Sequence, residues 1–144
     1  MSHQYSVTAT TQPEGLVALN ADGLPEMESG PPKQFGGSGT QWSPEDLLVG
    51  AVADCFVLSF KAIAAASKYA WTDLHCEATG TLDKVERAMQ FTELHIKASL
   101  KIPADADADR ARKLLEKAEQ TCFITNSLKA EPHLEIDVLS LIHI

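Results

Sequence analysis

Basic residues are scarce in this chain of 144 residues. Twelve lysines and arginines stand against 20 aspartates and glutamates, which gives a net charge of -8. Sequence-independent nucleic-acid binding needs a basic surface that releases counterions, so this charge balance argues against nucleic acid as a partner. An anionic membrane surface is disfavoured for the same reason. No arginine precedes Arg87, and Lys33 is the only cation in the first sixty residues.

Metal-binding and targeting motifs are also missing. Three cysteines and five histidines occur without Cys-x-x-Cys or His-x-x-x-His spacing, so we expect no metal and no cofactor. The segment Met1–Ser6 lacks the charged and apolar regions of a secretory signal. Asp54 and Lys61 interrupt the longest apolar stretch, and we expect no membrane span. A cytoplasmic protein is expected, in which three cysteines are free thiols or a transient catalytic pair.

The clearest local pattern is a helix start at Ser43. Ser43 fits the N-cap, Pro44 fits the first helical position, and Asp46 stands three residues after the cap. The helix is predicted to continue to about Lys68, with Cys55 in its middle. Apolar residues nearly encircle it, which is typical of a buried helix at the centre of a fold or in an interface.

Alternating patterns predict the strands. Short antiparallel strands are expected from about Tyr5 to Met27. Two alternating runs after the helix predict an antiparallel hairpin with one solvated face. The predicted elements after the first helix are a strand over 71–81, a charged loop over 83–90, a strand over 91–102, a helix over about 107–120, a helical turn over 122–128 and a strand over 134–144. This order predicts one α+β domain over residues 1–144 rather than a βαβ repeat.

The cysteines allow two interpretations when only their local sequence is considered. Cys55 sits on an apolar helix, where a cysteine is commonly a small buried hydrophobe rather than a nucleophile. Cys122 sits at a helix junction, where the N–H groups of a new turn would stabilise a thiolate, with core packing as the alternative. Cys76 shares its strand parity with Leu74 and Ala78 and is predicted to lie in the core.

Two longer stretches resemble one protein family. The stretch GGSGTQWSPEDLL (36–48) leads into GAVADC (50–55). It is similar to the first-cysteine region of the OsmC/Ohr family (osmotically inducible protein C and organic hydroperoxide resistance protein), where a G-x-x-P-E-x-L helix start leads to A-x-x-x-C. The stretch AEQTCFITNSL (118–128) resembles the family's second-cysteine segment, A-x-x-x-C-P-x-S/T-N-x-L. The resemblance covers essentially the whole chain.

The resemblance implies a thiol peroxidase that reduces organic hydroperoxides in oxidative-stress defence. It implies antiparallel sheets wrapped around central helices in an intertwined homodimer. Cys55 would attack the peroxide and become a sulfenic acid, and Cys122 would condense with it to a redox-active disulfide. A lipoyl-type dithiol would restore both thiols. Glu45 would match the family's glutamate, whose partner is an arginine, and Phe56 would contribute to an apolar substrate pocket.

This chain departs from the family at the arginine and at the proline after the second cysteine. The family's arginine precedes the first-cysteine helix, where this chain has only Lys33. A thiolate and a departing alkoxide both favour a nearby positive charge. Lys33 would supply it, or Arg87 would reach in, or peroxidase activity would be weak or absent. Phe123 stands in place of the proline.

Helix geometry restricts how Glu45 and Cys55 would share a site. Ten residues of straight helix advance by about 15 Å and turn by about 280°. Either the helix breaks near Gly50, or the glutamate of one chain serves the cysteine of another. Two alternatives to a peroxidase remain open: a relative that binds a small apolar ligand without peroxidase chemistry, and a structural dimer in which both cysteines are core.

Overall fold

The N-terminal segment forms a small sheet of three strands. The structure is a computed structural model that describes residues 2–141. The strands β1 (Thr8–Thr10), β2 (Val17–Asn20) and β3 (Met27–Ser29) pair in that order, and both pairings are antiparallel. The short antiparallel strands predicted for this segment are therefore confirmed. Residues up to Leu48 form one compact unit, and residues from Val49 onward form a second.

Helix α1 (Pro44–Ala66) begins where the sequence predicts. The backbone N–H of Asp46 donates to Ser43 Oγ at 3.0 Å, and the backbone N–H of Ser43 donates to Asp46 Oδ2 at 3.2 Å. This reciprocal pair is a capping box in which aspartate takes the position usual for glutamate. The helix is continuous through Gly50, so a break at that position is wrong.

Only one face of α1 is buried within the described chain. Val52, Phe56, Phe60 and Ala64 are fully buried, and their spacing of four residues places them on one side of the helix. Leu58, on another side, is 55% exposed. By length and composition α1 is apolar enough to cross a membrane, a test that the core helix of a soluble protein also passes. The prediction of a helix buried all round is not met by the residues that the structure describes.

The predicted hairpin is confirmed, with a much tighter turn. Strand β4 (Asp73–Val85) pairs antiparallel with β5 (Ala88–Ile102), and only Glu86 and Arg87 connect them. Glu86 takes a left-handed backbone conformation with φ 58°. The predicted loop over 83–90 was too long because Asp83 and Lys84 lie on the exposed end of β4, where solvated side chains do not interrupt pairing.

The last strand corrects the expectation of antiparallel sheets. Strand β6 (Pro132–Ser140) pairs parallel with β5, so the second sheet, in the order β4-β5-β6, is mixed. Helix α2 (Ala108–Gln120) lies in the connection between them. A crossover that contains a helix returns the chain in its original direction, which makes the parallel pairing possible. The part of the predicted strand over 142–144 lies outside the described residues.

The core of the second unit lies between the helices and one face of this sheet. The alternate residues of β5 that face inward are nearly or fully buried. These core residues are Leu94, Ile96, Ala98, Leu100 and Ile102 from β5, the buried face of α1, and Ala111, Leu114, Leu115 and Ala118 from α2. Gly80 permits a close approach, since a Cβ there would lie 2.9 Å from side-chain atoms of Phe91 and Val49. The prediction of a single domain over 1–144 stays a prediction.

Candidate active site at Cys55

Cys55 lies beside a cavity of about 540 Å³ in the second unit. Its side chain is partly exposed on α1, away from the fully buried face that holds Phe56. Mostly apolar side chains line the cavity, and Asp54 is the one charged residue among the lining residues that the structure describes. The lining residues are Ala51, Asp54, Cys55, Leu58, Ser59, Ala62, Ile63, Thr121, Phe123 and Ile124.

The other wall of the cavity comes from the segment after α2. Helix α2 ends at Gln120, and Thr121 caps it by donating from its hydroxyl to the Lys117 carbonyl at 2.9 Å. Cys122 follows, fully buried, with its N–H donating to the Glu119 carbonyl at 3.3 Å. The chain then enters a short 3₁₀ turn, in which the Asn126 N–H donates to the Cys122 carbonyl at 3.1 Å. These bonds fix the local conformation of Cys122 and of the backbone that follows it.

The structure brings the two predicted cysteines together. Burial raises the pKa of the Cys55 thiol, but hydrogen bonds outweigh it and leave the pKa below its ordinary value. The donors are the backbone N–H of Ile124, the Cys122 thiol, the backbone N–H of Phe123 and the Ser59 hydroxyl. Ser59 Oγ lies 4.0 Å from Cys55 Sγ. A partly exposed thiol with a lowered pKa is the kind of cysteine that reacts as a nucleophile.

Cys76 has the opposite environment. It lies on β4 with its side chain packed against the core, as its strand parity predicts. Burial raises the pKa of Cys76 to about 11. Hardly any thiolate forms there near neutral pH, so Cys76 is a core residue rather than a nucleophile.

The remaining predicted site residues do not line this cavity. Phe56 is fully buried in the core, so the apolar wall beside Cys55 comes from other side chains. Arg87 is exposed in the β4–β5 turn. Lys33 begins a 3₁₀ turn in the first unit, where it is exposed. Glu45 lies in the first turn of α1, and its Oε1 is buried without a hydrogen-bond partner among residues 2–141.

Sequence reasoning missed the residues that complete the site. Phe123 and Ile124 contribute backbone N–H groups, which no side-chain pattern reports. Leu58 and Ser59 lie two and three positions beyond Phe56, the residue that the sequence analysis placed in the pocket. The helical spacing of four gave a signal for Ser59, because it stands four residues after Cys55 and therefore on the same face of α1.

Comparisons with known proteins show the family of this chain. The family model of OsmC-like proteins matches residues 37–137. The peroxiredoxin OsmC of Escherichia coli is 27% identical over 128 residues, which are 88% of this chain and 87% of that protein. The chain therefore belongs to the OsmC-like family, whose members include a peroxiredoxin.

Two solved structures share the fold. An OsmC-like protein of unknown function from Vibrio cholerae superposes with a TM-score of 0.86 at 20% identity, over 94% of this chain and 99% of that one. An organic hydroperoxide resistance protein from Elizabethkingia anophelis superposes with a TM-score of 0.75 at 22% identity, over 98% of this chain and 100% of that one. The α+β fold expected from the resemblance is thus an OsmC-like fold.

Proposed function

We propose that the protein is a thiol-dependent peroxidase that reduces organic hydroperoxides. The observation that carries the proposal is the position of Cys55 at a mostly apolar cavity, with the buried Cys122 beside it and the pKa of Cys55 held below its ordinary value. The membership in a family that includes a peroxiredoxin points to the same chemistry.

The reaction begins with the Cys55 thiolate. Its sulfur attacks one peroxide oxygen, an S–O bond forms, and the O–O bond breaks. The peroxide is reduced to an alkoxide, which takes a proton and leaves as an alcohol, while Cys55 is oxidised to a sulfenic acid. The Cys122 thiol then attacks the Cys55 sulfur, forming a disulfide and releasing water. An external dithiol, lipoyl-type by analogy with the family, reduces the disulfide and restores both thiols.

The cavity favours an organic substrate over hydrogen peroxide. Its volume of about 540 Å³ lies within the range of small-molecule sites. Leu58, Ile63 and Phe123 provide apolar surface for an alkyl or aryl group next to the thiol. Hydrogen peroxide has no apolar group that would use this surface.

A homodimer is part of the proposal. Leu58 is 55% exposed on α1 within the described chain, and an exposed apolar side chain gains free energy when a partner covers it. Glu45 and Cys55 lie on a continuous helix and are separated by about 15 Å along its axis. Glu45 therefore acts on the Cys55 of a second copy.

A cationic side chain that pairs with Glu45 is a further part of the proposal. The buried, unpartnered oxygen of Glu45 favours a donor from outside the described contacts, and Lys33 and Arg87 are the two candidates. Single alanine variants of each, compared for their rate of hydroperoxide consumption, identify which cation serves the site. If neither variant changes the rate, the site works without a cationic side chain.

A steady-state assay tests the proposed function. Reduced protein is mixed with cumene hydroperoxide and dihydrolipoamide, and peroxide consumption is compared between wild type, Cys55→Ser and Cys76→Ser. The expected result is rapid consumption that Cys55→Ser abolishes and Cys76→Ser leaves unchanged. Equal, slow consumption by all three proteins would contradict the assignment, and saturable binding of an apolar ligand at the cavity would then support a non-catalytic binding function.

A further inference from the structure

A single carboxylate stands at the edge of the Cys55 cavity. Asp54 directly precedes Cys55 on α1, is exposed to solvent, and lines the cavity together with it. Apart from the Cys55 thiolate, the other lining residues that the structure describes are uncharged, and none of them is a lysine or an arginine. A carboxylate on a solvated helix face usually has no influence on a binding site. Asp54 differs because the cavity that it lines is the one beside the reactive thiol.

The charge of Asp54 is not offset by the described wall of the cavity. The polar side chains that share this wall, Ser59 and Thr121, carry no charge. A cation that pairs with Glu45 forms a pair without net charge, so such a pair leaves the charge of Asp54 uncompensated. The chain as a whole carries a net charge of -8, which adds to the repulsion of an approaching anion.

We propose that Asp54 is a specificity-determining residue that selects uncharged organic hydroperoxides and rejects those whose organic group carries a carboxylate. The inference rests on the proposed function, because it names the substrate class of that reaction. The apolar side chains of Leu58, Ile63 and Phe123 favour an alkyl or aryl group, and Asp54 adds a penalty for a negative charge on that group. A site discriminates between two ligands by attracting one and repelling the other.

The size of the cavity determines the strength of this repulsion. A sphere with the cavity's volume of about 540 Å³ is about 10 Å across, so a carboxylate bound inside lies within about that distance of Asp54. Like charges at this distance in a partly solvated site repel each other enough to weaken binding about twofold to fifteenfold. The range of the repulsion is about 30 Å at 0.01 M ionic strength and about 3 Å at 1 M. The selectivity should therefore be largest at low ionic strength and nearly vanish at high salt.

Two hydroperoxides that differ in one group test the selection. Cumene hydroperoxide is uncharged, and its 4-carboxy derivative carries a carboxylate on the ring. The selectivity is the kcat/KM for the uncharged substrate divided by the kcat/KM for the charged one. We expect Asp54→Asn to lower this ratio about fivefold at low ionic strength, and Asp54→Glu, which keeps the charge, to preserve it. An unchanged ratio in Asp54→Asn would overturn the proposal.

Asp137→Asn is the matched control. Asp137 is exposed on β6, and its neighbours Ile136 and Val138 pack against the core, so Asp137 lies on the sheet face that points away from the core. This variant removes the same charge from the protein but not from the cavity, and it should keep the wild-type ratio. If both asparagine variants lower the ratio equally, the net charge of the protein determines the selectivity and the assignment to Asp54 is wrong.

Alkylation of Cys55 separates this inference from the proposed function. Iodoacetamide is uncharged, and iodoacetate is an anion of similar size. Both react with the thiolate, so the ratio of their rates does not depend on the ionised fraction of Cys55. We expect Asp54→Asn to lower the ratio of the iodoacetamide rate to the iodoacetate rate about fivefold at low ionic strength.

The two assays together distinguish the possible failures. A lowered alkylation ratio in Asp54→Asn, in a protein that consumes no hydroperoxide, supports charge selection by Asp54 at the cavity and refutes the peroxidase. Consumption of hydroperoxide that depends on Cys55, with unchanged ratios in both assays, refutes the selection by Asp54 and leaves the peroxidase intact.

Discussion

Cys122 is predicted to perform two separable tasks, and two substitutions at this position distinguish them. Its thiol donates a hydrogen bond to the Cys55 sulfur, and its sulfur resolves the sulfenic acid. Cys122→Ser keeps a donor of similar size but removes the resolving sulfur. Cys122→Ala removes both. Because Cys122 is fully buried, neither change alters exposed surface.

The size of the donor effect follows from hydrogen-bond energetics. A hydrogen bond to a charged group contributes about 1.5–3 kcal/mol, and a thiol is a weak donor, so the lower end applies. About 1.4 kcal/mol corresponds to one pKa unit. We therefore expect Cys122→Ala to raise the pKa of Cys55 by about one unit and Cys122→Ser to leave it near the wild-type value. At a pH below both pKa values, the first oxidation step should slow about tenfold in the alanine variant alone.

Single-turnover kinetics with sulfenic-acid trapping measure both tasks. One equivalent of cumene hydroperoxide is mixed with each reduced variant, and dimedone adducts at Cys55 are quantified by mass spectrometry. Both variants should accumulate the adduct, whereas wild type should not, because Cys122 removes the sulfenic acid. Two results would refute the resolving role. One is wild-type protein that forms no Cys55–Cys122 disulfide after hydroperoxide treatment. The other is a Cys122→Ser protein that turns over with dithiol at the wild-type rate. Equal pKa values of Cys55 in all three proteins would refute the donor role.

Three further predictions concern the environment of the site. Burial raises the pKa of Cys76 to about 11, whereas the pKa of Cys55 is lowered. Iodoacetamide at pH 8 should therefore modify Cys55 at least about 100-fold faster than Cys76, and peptide mapping measures the two rates. Gly80→Ala should lower the free energy of unfolding by about 1–3 kcal/mol in urea titrations, because the new methyl group overpacks the contact between α1 and the hairpin. Leu58→Glu should shift the proposed dimer to monomer in sedimentation, because it replaces an exposed apolar side chain of α1 by a charge that the partner would bury.

Each of these has a control and a result that counts against it. Lys113→Glu changes an exposed, already charged position of α2 and should leave the sedimentation unchanged, so equal behaviour of the Leu58 and Lys113 variants contradicts the interface. Thr79→Ala, at an exposed position of β4, is the control for Gly80→Ala, and equal urea midpoints contradict the close approach. Alkylation of Cys76 at the rate of Cys55 contradicts their assignment to core and site.

The elements that local chemistry determines were predictable from the sequence. The start of α1 follows from the Ser43–Asp46 capping box, and the inward residues of β5 follow from strict alternation. The direction of β6 was not predictable, because a strand shows the same alternation whether it pairs parallel or antiparallel. The tight turn at Glu86 was hidden for a related reason, since exposed charged residues occur equally in loops and on solvated strand faces.

The candidate site was predictable only through its cysteines. The motifs around both thiols identified them, but the local sequence of each was also compatible with core packing; the fold places α1 and the segment after α2 together. The backbone donors of Phe123 and Ile124 carry no side-chain signature. The proline position of the family motif is the one sequence feature that points to them, since it decides whether an N–H exists at all.

The most direct test of the account is the state of the three thiols after one equivalent of organic hydroperoxide. Reduced wild-type protein is treated with cumene hydroperoxide, alkylated, and digested for peptide mass spectrometry. The account predicts a Cys55–Cys122 disulfide with Cys76 still reduced, and one equivalent of alcohol released. Three alkylated thiols together with unconsumed hydroperoxide would contradict it.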